Sequence, residues 1–445
     1  MNADRARPPR GWRSAFGLGV ANGILFNFGT AFTDTAAVLP AFVSRLTGSS
    51  VAVGALGLIA GGLNQLPQLL VANFMETRRR KLVFYQVSSL VRVACWPAIA
   101  VLTYFWADRN PALTLAVFFA GYGVYMLASG VGSIAFMDVV SRTLPANRLA
   151  RFFALREIGG GALAFVAGFV VRGILGRGGP THLGHDYALI FAFGAAIIAP
   201  ALLAFCLVPE REGQARPRRT PMLAFLLRAP AVLRRDANFR RFFTMQMLSG
   251  AVGIAMPFYA VYARRVILIP EAMIGIYVSA GILGRIGTNL AWAALNDRRG
   301  SLTVLRRAAA LNFLVPAVAL LLAVAPLPRL AAMWAFSAVF CFAGAAAAGG
   351  FIGATNYFVE TSPELERPLY LGVLNTFGVA ATALPMVGGI IIDHSSFQVV
   401  FAIAMAAALR GHPEGVPSGS PERAAVAAAV FVRSLAAPPR KEAAS

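Results

Sequence analysis

YALIFAFGAAIIAPALLAFCLV, residues 187–208, runs for 22 positions without a charged side chain. As an α-helix such a stretch is roughly 33 Å long, which matches the ~30 Å hydrocarbon layer of a bilayer. Lipid offers the backbone no hydrogen-bond partners, so a segment in that layer must satisfy its own N–H and C=O groups, and a helix does so. Blocks of the same kind lie before it at 18–43, 51–74, 82–106, 112–136 and 153–175. Others follow at 240–263, 271–295, 305–325, 330–355 and 368–392, and a last one offers only Phe397–Leu409. The expected fold is an all-α membrane protein of twelve transmembrane helices, the last one short or irregular.

Composition agrees. Apolar residues make up 58% of the chain and charged ones 13%, about half of what a soluble domain carries. The net charge of +21 raises the question of nucleic acid, but the basic residues sit in the gaps between apolar blocks rather than on one soluble face. No nucleic-acid partner is expected. With the N-terminus placed inside, 31 of the 40 Lys and Arg residues fall in inside segments and 7 in outside gaps, leaving Arg92 and Arg285 within the membrane. This is the positive-inside pattern. It predicts a multi-pass protein of the cytoplasmic (inner) membrane with both termini in the cytoplasm. The domain organisation expected is a six-helix half (1–208), a basic cytoplasmic linker (209–238), a second six-helix half (239–410) and a disordered tail (411–445).

The halves carry traces of a parallel repeat. Leu39-Pro40-Ala41-Phe42 aligns with Met256-Pro257-Phe258-Tyr259. Leu69, Ala72, Phe74, Glu76 and Arg78 align with Leu290, Ala293, Leu295, Asp297 and Arg299. Pro145 and Gly160 align with Pro363 and Gly378. The three offsets agree to within four residues. Parallel repeats place a binding site between the halves near mid-membrane.

Leu295-Asn296-Asp297-Arg298-Arg299-Gly300, read as the loop after the eighth span, resembles the major facilitator superfamily signature G-x-L-a-D-R-x-G-R-R. Met75-Glu76-Thr77-Arg78-Arg79-Arg80-Lys81 after the second span resembles a degenerate copy, and Leu144 to Phe153 with its counterpart from Pro363 also look like this superfamily. The resemblance implies a secondary transporter that moves a small solute by alternating access, with Asp297 and Arg298, and more weakly Glu76 and Arg78, forming a cytoplasmic gate. Proton coupling and efflux rather than uptake are the readings favoured. The alternative is a transporter-like membrane receptor or scaffold that moves nothing.

Ionisable groups inside the membrane are costly and therefore informative. Asp34 shares a helix face with Asn27 and Thr30, and its repeat position is Ala251. It is the candidate proton or cation site. Arg285 with Asn289 falls, by the repeat, opposite Asn64 and Gln68, as the wall of a cavity between the halves requires; Arg285 is the candidate anion contact. Arg92 is expected to form a structural ion pair with Asp34, Asp138 or Glu157. No phosphate loop, nucleophile–base arrangement or metal-ligand spacing is present in the sequence, so neither an enzyme, a metal site nor a cofactor is expected. The partners expected are a small-molecule substrate, protons and the bilayer, with the protein a monomer.

Overall fold

The protein is described by a computed structural model that places residues 11–68, 75, 78–177, 183–210, 231–325, 327–363 and 366–411. The expected linker lies largely outside these residues, as do Glu76 and the tail beyond Gly411. Every regular element among the described residues is helical. In chain order they are α1 (Trp12–Ala31), α2 (Val38–Leu46), α3 (Ser50–Gln68), α4 (Leu82–Trp106), α5 (Pro111–Thr143), α6 (Ala146–Leu175) and α7 (Leu183–Cys206). Then come α8 (Ala237–Arg265), α9 (Met273–Arg299), α10 (Ser301–Val324), α11 (Arg329–Thr361), α12 (Arg367–Ala381), α13 (Leu384–His394) and α14 (Phe397–Arg410). Nine helical stretches among the described residues are long and apolar enough to cross a membrane, and large side chains such as Leu90, Leu290 and Val324 face outward, as lipid-facing residues do. The protein is a multi-pass membrane protein.

Several boundaries differ from those the sequence suggests. The first span is not one rod. α1 ends at Ala31, the chain turns through Phe32–Ala37, and α2 resumes at Val38. α8 is interrupted by a tighter 3₁₀ turn, Val252–Ala255, and Pro257 follows at the start of the resumed helix. The two interruptions sit at equivalent places of the repeat alignment. α5 and α6 run well past their apolar cores into the charged connection, because Asp138, Arg142, Arg148 and Arg151 are good or tolerable helix residues at a membrane edge. The expected eleventh span divides into α12 and α13 ahead of Pro385. The stretch read as a loop, Leu295–Arg299, is instead the last turn of α9. Only Gly300 joins it to α10, with φ 79° and ψ 166°, a conformation essentially reserved for glycine. That explains the glycine of the motif. The short final block is confirmed as α14, only 14 residues long.

α1 packs on α6 and α7, and α4 on α5 and α7. In the second half α11 packs on α9 and α10, and α14 covers α10. The halves meet along α6 against α9 and α3 against α13. Both seams depend on missing side chains. A Cβ on Gly168 would collide with Ser279 and Gly275, and one on Gly54 would collide with the backbone at Pro385. Ser279 Oγ donates to Phe165 O across the first seam, 2.9 Å away.

Candidate functional site

Asp34 occupies the break between α1 and α2 and helps to make it. Its Oδ1 accepts from the backbone N–H groups of Ala36 (2.9 Å) and Ala37 (2.7 Å), while its carbonyl accepts from Leu39 N. It thus caps the turn that launches α2, as Asp does at helix starts. The other carboxylate oxygen has no hydrogen bond among the described residues. Arg285, on α9 of the other half, is close enough for its charge to act on Asp34, and the Tyr122 hydroxyl feels the carboxylate in turn. Arg285 is half-buried and forms no hydrogen bond or ion pair among the described residues. The two candidate charges, one from each half, therefore lie within electrostatic reach of each other without forming an ion pair among the described residues.

The amides are more dispersed. Asn27 Nδ2 donates to Arg156 O at 3.3 Å, tying α1 to α6, and Thr30 Oγ1 donates back to Asn27 O. Gln68 Nε2 donates to Asn64 Oδ1 (3.0 Å), and Asn64 reaches Met126 O of α5 at 3.5 Å. Asn64 follows directly on a π-helical turn, Leu58–Leu63, of the kind that marks functional sites. Asn289 is half-buried and has no hydrogen-bond partner among the described residues.

Arg92 differs from expectation. It is 4% exposed, yet no carboxylate among the described residues pairs with it. Its guanidinium lies 5.1 Å from the ring centroids of both Phe26 and Tyr125, and Nη2 is 3.4 Å from Tyr125 Oη. The proposed partners are engaged elsewhere or turned away. Asp34 holds the turn before α2, Glu157 is exposed, and Asp138 accepts from Lys81 (2.8 Å) and Arg142 (2.9 Å). The ring faces of Phe26 and Tyr125 supply the negative potential in place of a carboxylate. Arg156 is held similarly, bonding Gly19 O and Asn22 Oδ1 and lying 4.5 Å from the Phe136 ring centroid.

At the proposed gate, Asp297 and Arg298 are exposed and form no hydrogen bond or ion pair among the described residues. Glu76 lies outside the described residues. Arg78 is exposed at the start of the connection to α4.

Two features escape the sequence reading. The first is a polar lock between the halves at the end of the molecule opposite Asp297. Arg45 pairs with Glu271 (Nη2–Oε1 2.5 Å), Tyr187 Oη donates to Glu271 (3.3 Å), and Arg264 bonds both Ser44 Oγ and Ser44 O. Arg265 donates to Thr47 O, and the Asp393 carboxylate accepts from Ser50 N. Glu271 is an isolated acid near the gap that bears Arg264 and Arg265, a signal visible in the sequence. The second is a cavity of about 890 Å³ in the second half, walled by α8, α10, α11 and α12 and reaching Thr35 and α3. Gln246, Asn312 and Asn375, amides set within apolar blocks, were the available clue.

The sequence model described as Major Facilitator Superfamily matches residues 242–411. An uncharacterised protein of Mycobacterium tuberculosis is 26% identical over 410 residues, 89% of this chain and 76% of that protein, and one of Mycobacterium bovis matches equally. Among solved structures, a POT family transporter in complex with a thioalcohol-conjugated peptide superposes with TM-score 0.67 at 12% identity, covering 88% of this chain and 94% of that one. An inward-facing bacterial homologue of the iron transporter ferroportin gives 0.66 at 12% identity, covering 89% and 97%. A D-xylose–proton symporter gives 0.63 at 15%, covering 92% and 98%. The Major Facilitator Superfamily model thus matches the second half of the chain, and the fold of these transporters runs along nearly its whole length.

Proposed function

We propose that the protein is a secondary transporter that moves a small solute by alternating access, with twelve spans arranged as two six-helix parallel repeats. The observation that carries this reading is the break in the first helix at Asp34, an intramembrane carboxylate on which the charge of Arg285 from the opposite half acts. An intramembrane carboxylate within reach of an arginine of the other half is a pair whose charge changes when a proton arrives or when the halves separate, and such groups mark ion and substrate pathways. The interruptions of α1–α2 and of α8 fall at equivalent places of the repeat, and broken helices are what transporters use to build sites between repeats. The distribution of basic residues supports a cytoplasmic location for both termini and for the Asp297 end. The Arg45–Glu271 lock then closes the outer side, and Asp297 with Arg298, joined by Arg78 and Glu76, closes the inner side in the alternate state. Asp34 carries the coupling proton. Asn27, Thr30, Asn64, Gln68 and Asn289 flank the pathway, and efflux is the direction favoured. The protein acts as a monomer and uses no cofactor.

The test is flux in proteoliposomes holding the purified protein under an imposed pH gradient. Solutes are screened from sugars, peptides, organic acids and drugs. Transport of at least one solute by the wild type, with its pH dependence lost in Asp34→Asn, is the expected result. Asn also caps helices, so that variant keeps the local fold. Unchanged pH-dependent flux in Asp34→Asn rejects the role of Asp34. Ligand binding without flux of any solute supports a receptor instead.

A further inference from the structure

The cavity in the second half has a chemical character of its own. Among the described residues that line it there is no Asp, Glu, Lys, Arg or His. Its walls are aliphatic and aromatic, with polar groups supplied by amides and hydroxyls. Tyr259 is 1% exposed and its Oη has no hydrogen-bond partner among the described residues. Asn312 reaches Ser249 Oγ of α8 only at 3.4 Å, and Gln246 has no hydrogen-bond partner among the described residues. A buried hydroxyl left unpaired is uncommon and calls for a partner. A charged ligand would give up hydration here without meeting a counter-charge, which is costly. A neutral ligand with apolar faces and hydroxyl or amide groups meets no such cost.

Resting on the transport reading, we propose that this cavity binds uncharged amphiphilic molecules, with Tyr259, Gln246 and Asn312 as the hydrogen-bonding groups, and that Asp34 and Arg285 do not contact the ligand. Two observations separate the roles. Neither Asp34 nor Arg285 lines the cavity, while Thr35, the next residue to Asp34, does. Occupancy is thus adjacent to the charge pair rather than in it. Met245, Met247 and Met256 also line the cavity. Methionine is flexible and polarisable and suits surfaces that accept ligands of varied shape. The site selects for the absence of charge and the presence of hydrogen-bonding groups more than for one outline.

The test uses three photoreactive probes with one skeleton: para-hydroxymethylbenzophenone (neutral), para-benzoylbenzoate (anionic) and para-aminomethylbenzophenone (cationic). Each is irradiated with the purified full-length protein, and labelled peptides are mapped by mass spectrometry. The neutral probe is expected to label the α8 peptide bearing Met245 to Met256 saturably, at least tenfold more than either charged probe. A Cβ on Gly350, which lines the cavity, meets nothing within 4 Å, so Gly350→Leu fills the space without backbone collision. It should cut labelling at least fivefold, and Gln246→Leu should also weaken it. Gly287→Leu, on α9 and equally unobstructed, should not. Equal labelling by the charged probes, or labelling untouched in monodisperse Gly350→Leu and Gln246→Leu proteins, overturns the proposal. Labelling reads binding and not flux. A protein that labels selectively but moves no solute therefore refutes the transport reading and leaves this one standing.

Discussion

Arg45 and Glu271, 226 residues apart, meet with two guanidinium nitrogens on one carboxylate oxygen, Nε at 2.7 Å and Nη2 at 2.5 Å. Arg264 approaches the same oxygen at 3.9 Å. One acid of the second half thus holds an arginine from each half, and Tyr187 donates to its other oxygen. The lock is local, charged and only partly buried, so it can open without unfolding anything.

Glu271→Gln should loosen this end. Charge-assisted hydrogen bonds are roughly twice as strong as neutral ones, and each contributes about 1.5–3 kcal/mol before screening. Arg45 is 34% exposed, so solvent reduces that value. A residual change of about 1 kcal/mol still moves a two-state population roughly fivefold. Spin labels at Gly48 and Val266, both exposed and on opposite sides of the seam, are expected to show a longer-distance population in the variant. An unchanged distance distribution would mean that the helix seams alone hold this end.

Asp34 has a structural task as well as a proposed functional one, and two substitutions separate them. Asp34→Ala removes the acceptor for Ala36 and Ala37 and is expected to cost about 1 kcal/mol of stability, as loss of a helix cap does. Asp34→Asn keeps an acceptor and should melt close to the wild type. Melting curves in one detergent compare them directly. An Asn variant that falls as far as the Ala variant would show that the carboxylate's charge, rather than its cap, holds the break.

Arg92 is a buried cation resting on aromatic rings. Replacing a buried charge by an apolar side chain of similar volume is often neutral or stabilising, because the desolvation penalty disappears with it. Two ring contacts return about 0.5–2 kcal/mol, which falls short of that penalty. Arg92→Met is therefore expected to melt at or above the wild-type temperature. A clear loss of stability would reveal a counter-charge or bound anion beside Phe26 and Tyr125.

Much of this architecture is legible in the chain. Membrane spans announce themselves because lipid imposes one requirement on every position of a block, and residues 187–208 illustrate it. The short last helix is equally plain from Arg410 and Pro413. The break at Asp34 is less so. Pro40 in the first turn of α2 points to an interruption, but the bonds from Ala36 and Ala37 depend on where Asp34 points. Asp34 and Arg285 could be singled out one at a time by the cost of embedding charge, while their proximity depends on how the halves dock. The sequence reveals the charge of Arg92 without revealing the rings of Phe26 and Tyr125 around it. The cavity was missed because amides and alanines scattered over α8, α10, α11 and α12 converge only in space.

Gly300 gives the family motif a backbone meaning. Its φ of 79° and ψ of 166° lie where a Cβ is not tolerated, although nothing stands within 4 Å of the position a Cβ would take. Gly300→Ala should therefore cost about 1–3 kcal/mol through backbone strain alone. Its effect should concentrate on the joint between α9 and α10, where Ser301 Oγ donates to Glu360 at 2.5 Å. Hydrogen exchange across residues 296–304 is the measurement, with faster exchange there expected in the variant. Protection equal to wild type would mean the joint can adopt another path.

The α6–α9 seam is a tight contact between the halves, and two glycines on one helix provide both the variant and its control. Gly168 faces Ser279 and Gly275 with no room for a methyl group, whereas Gly173 faces open space. Gly168→Val and Gly173→Val add the same atoms to the same helix, with nearly the same change in helix propensity. Overpacking a tight contact costs about 1–3 kcal/mol, and this one also carries the Ser279–Phe165 hydrogen bond across the seam. Gly168→Val should separate α6 from α9 and lower the melting temperature, and the spin-label pair at Gly48 and Val266 should report a wider separation. Gly173→Val should leave both readouts unchanged. If the two variants behave alike, the seam is not a packed contact in the bilayer, and α6 and α9 are held apart there by something other than their own side chains.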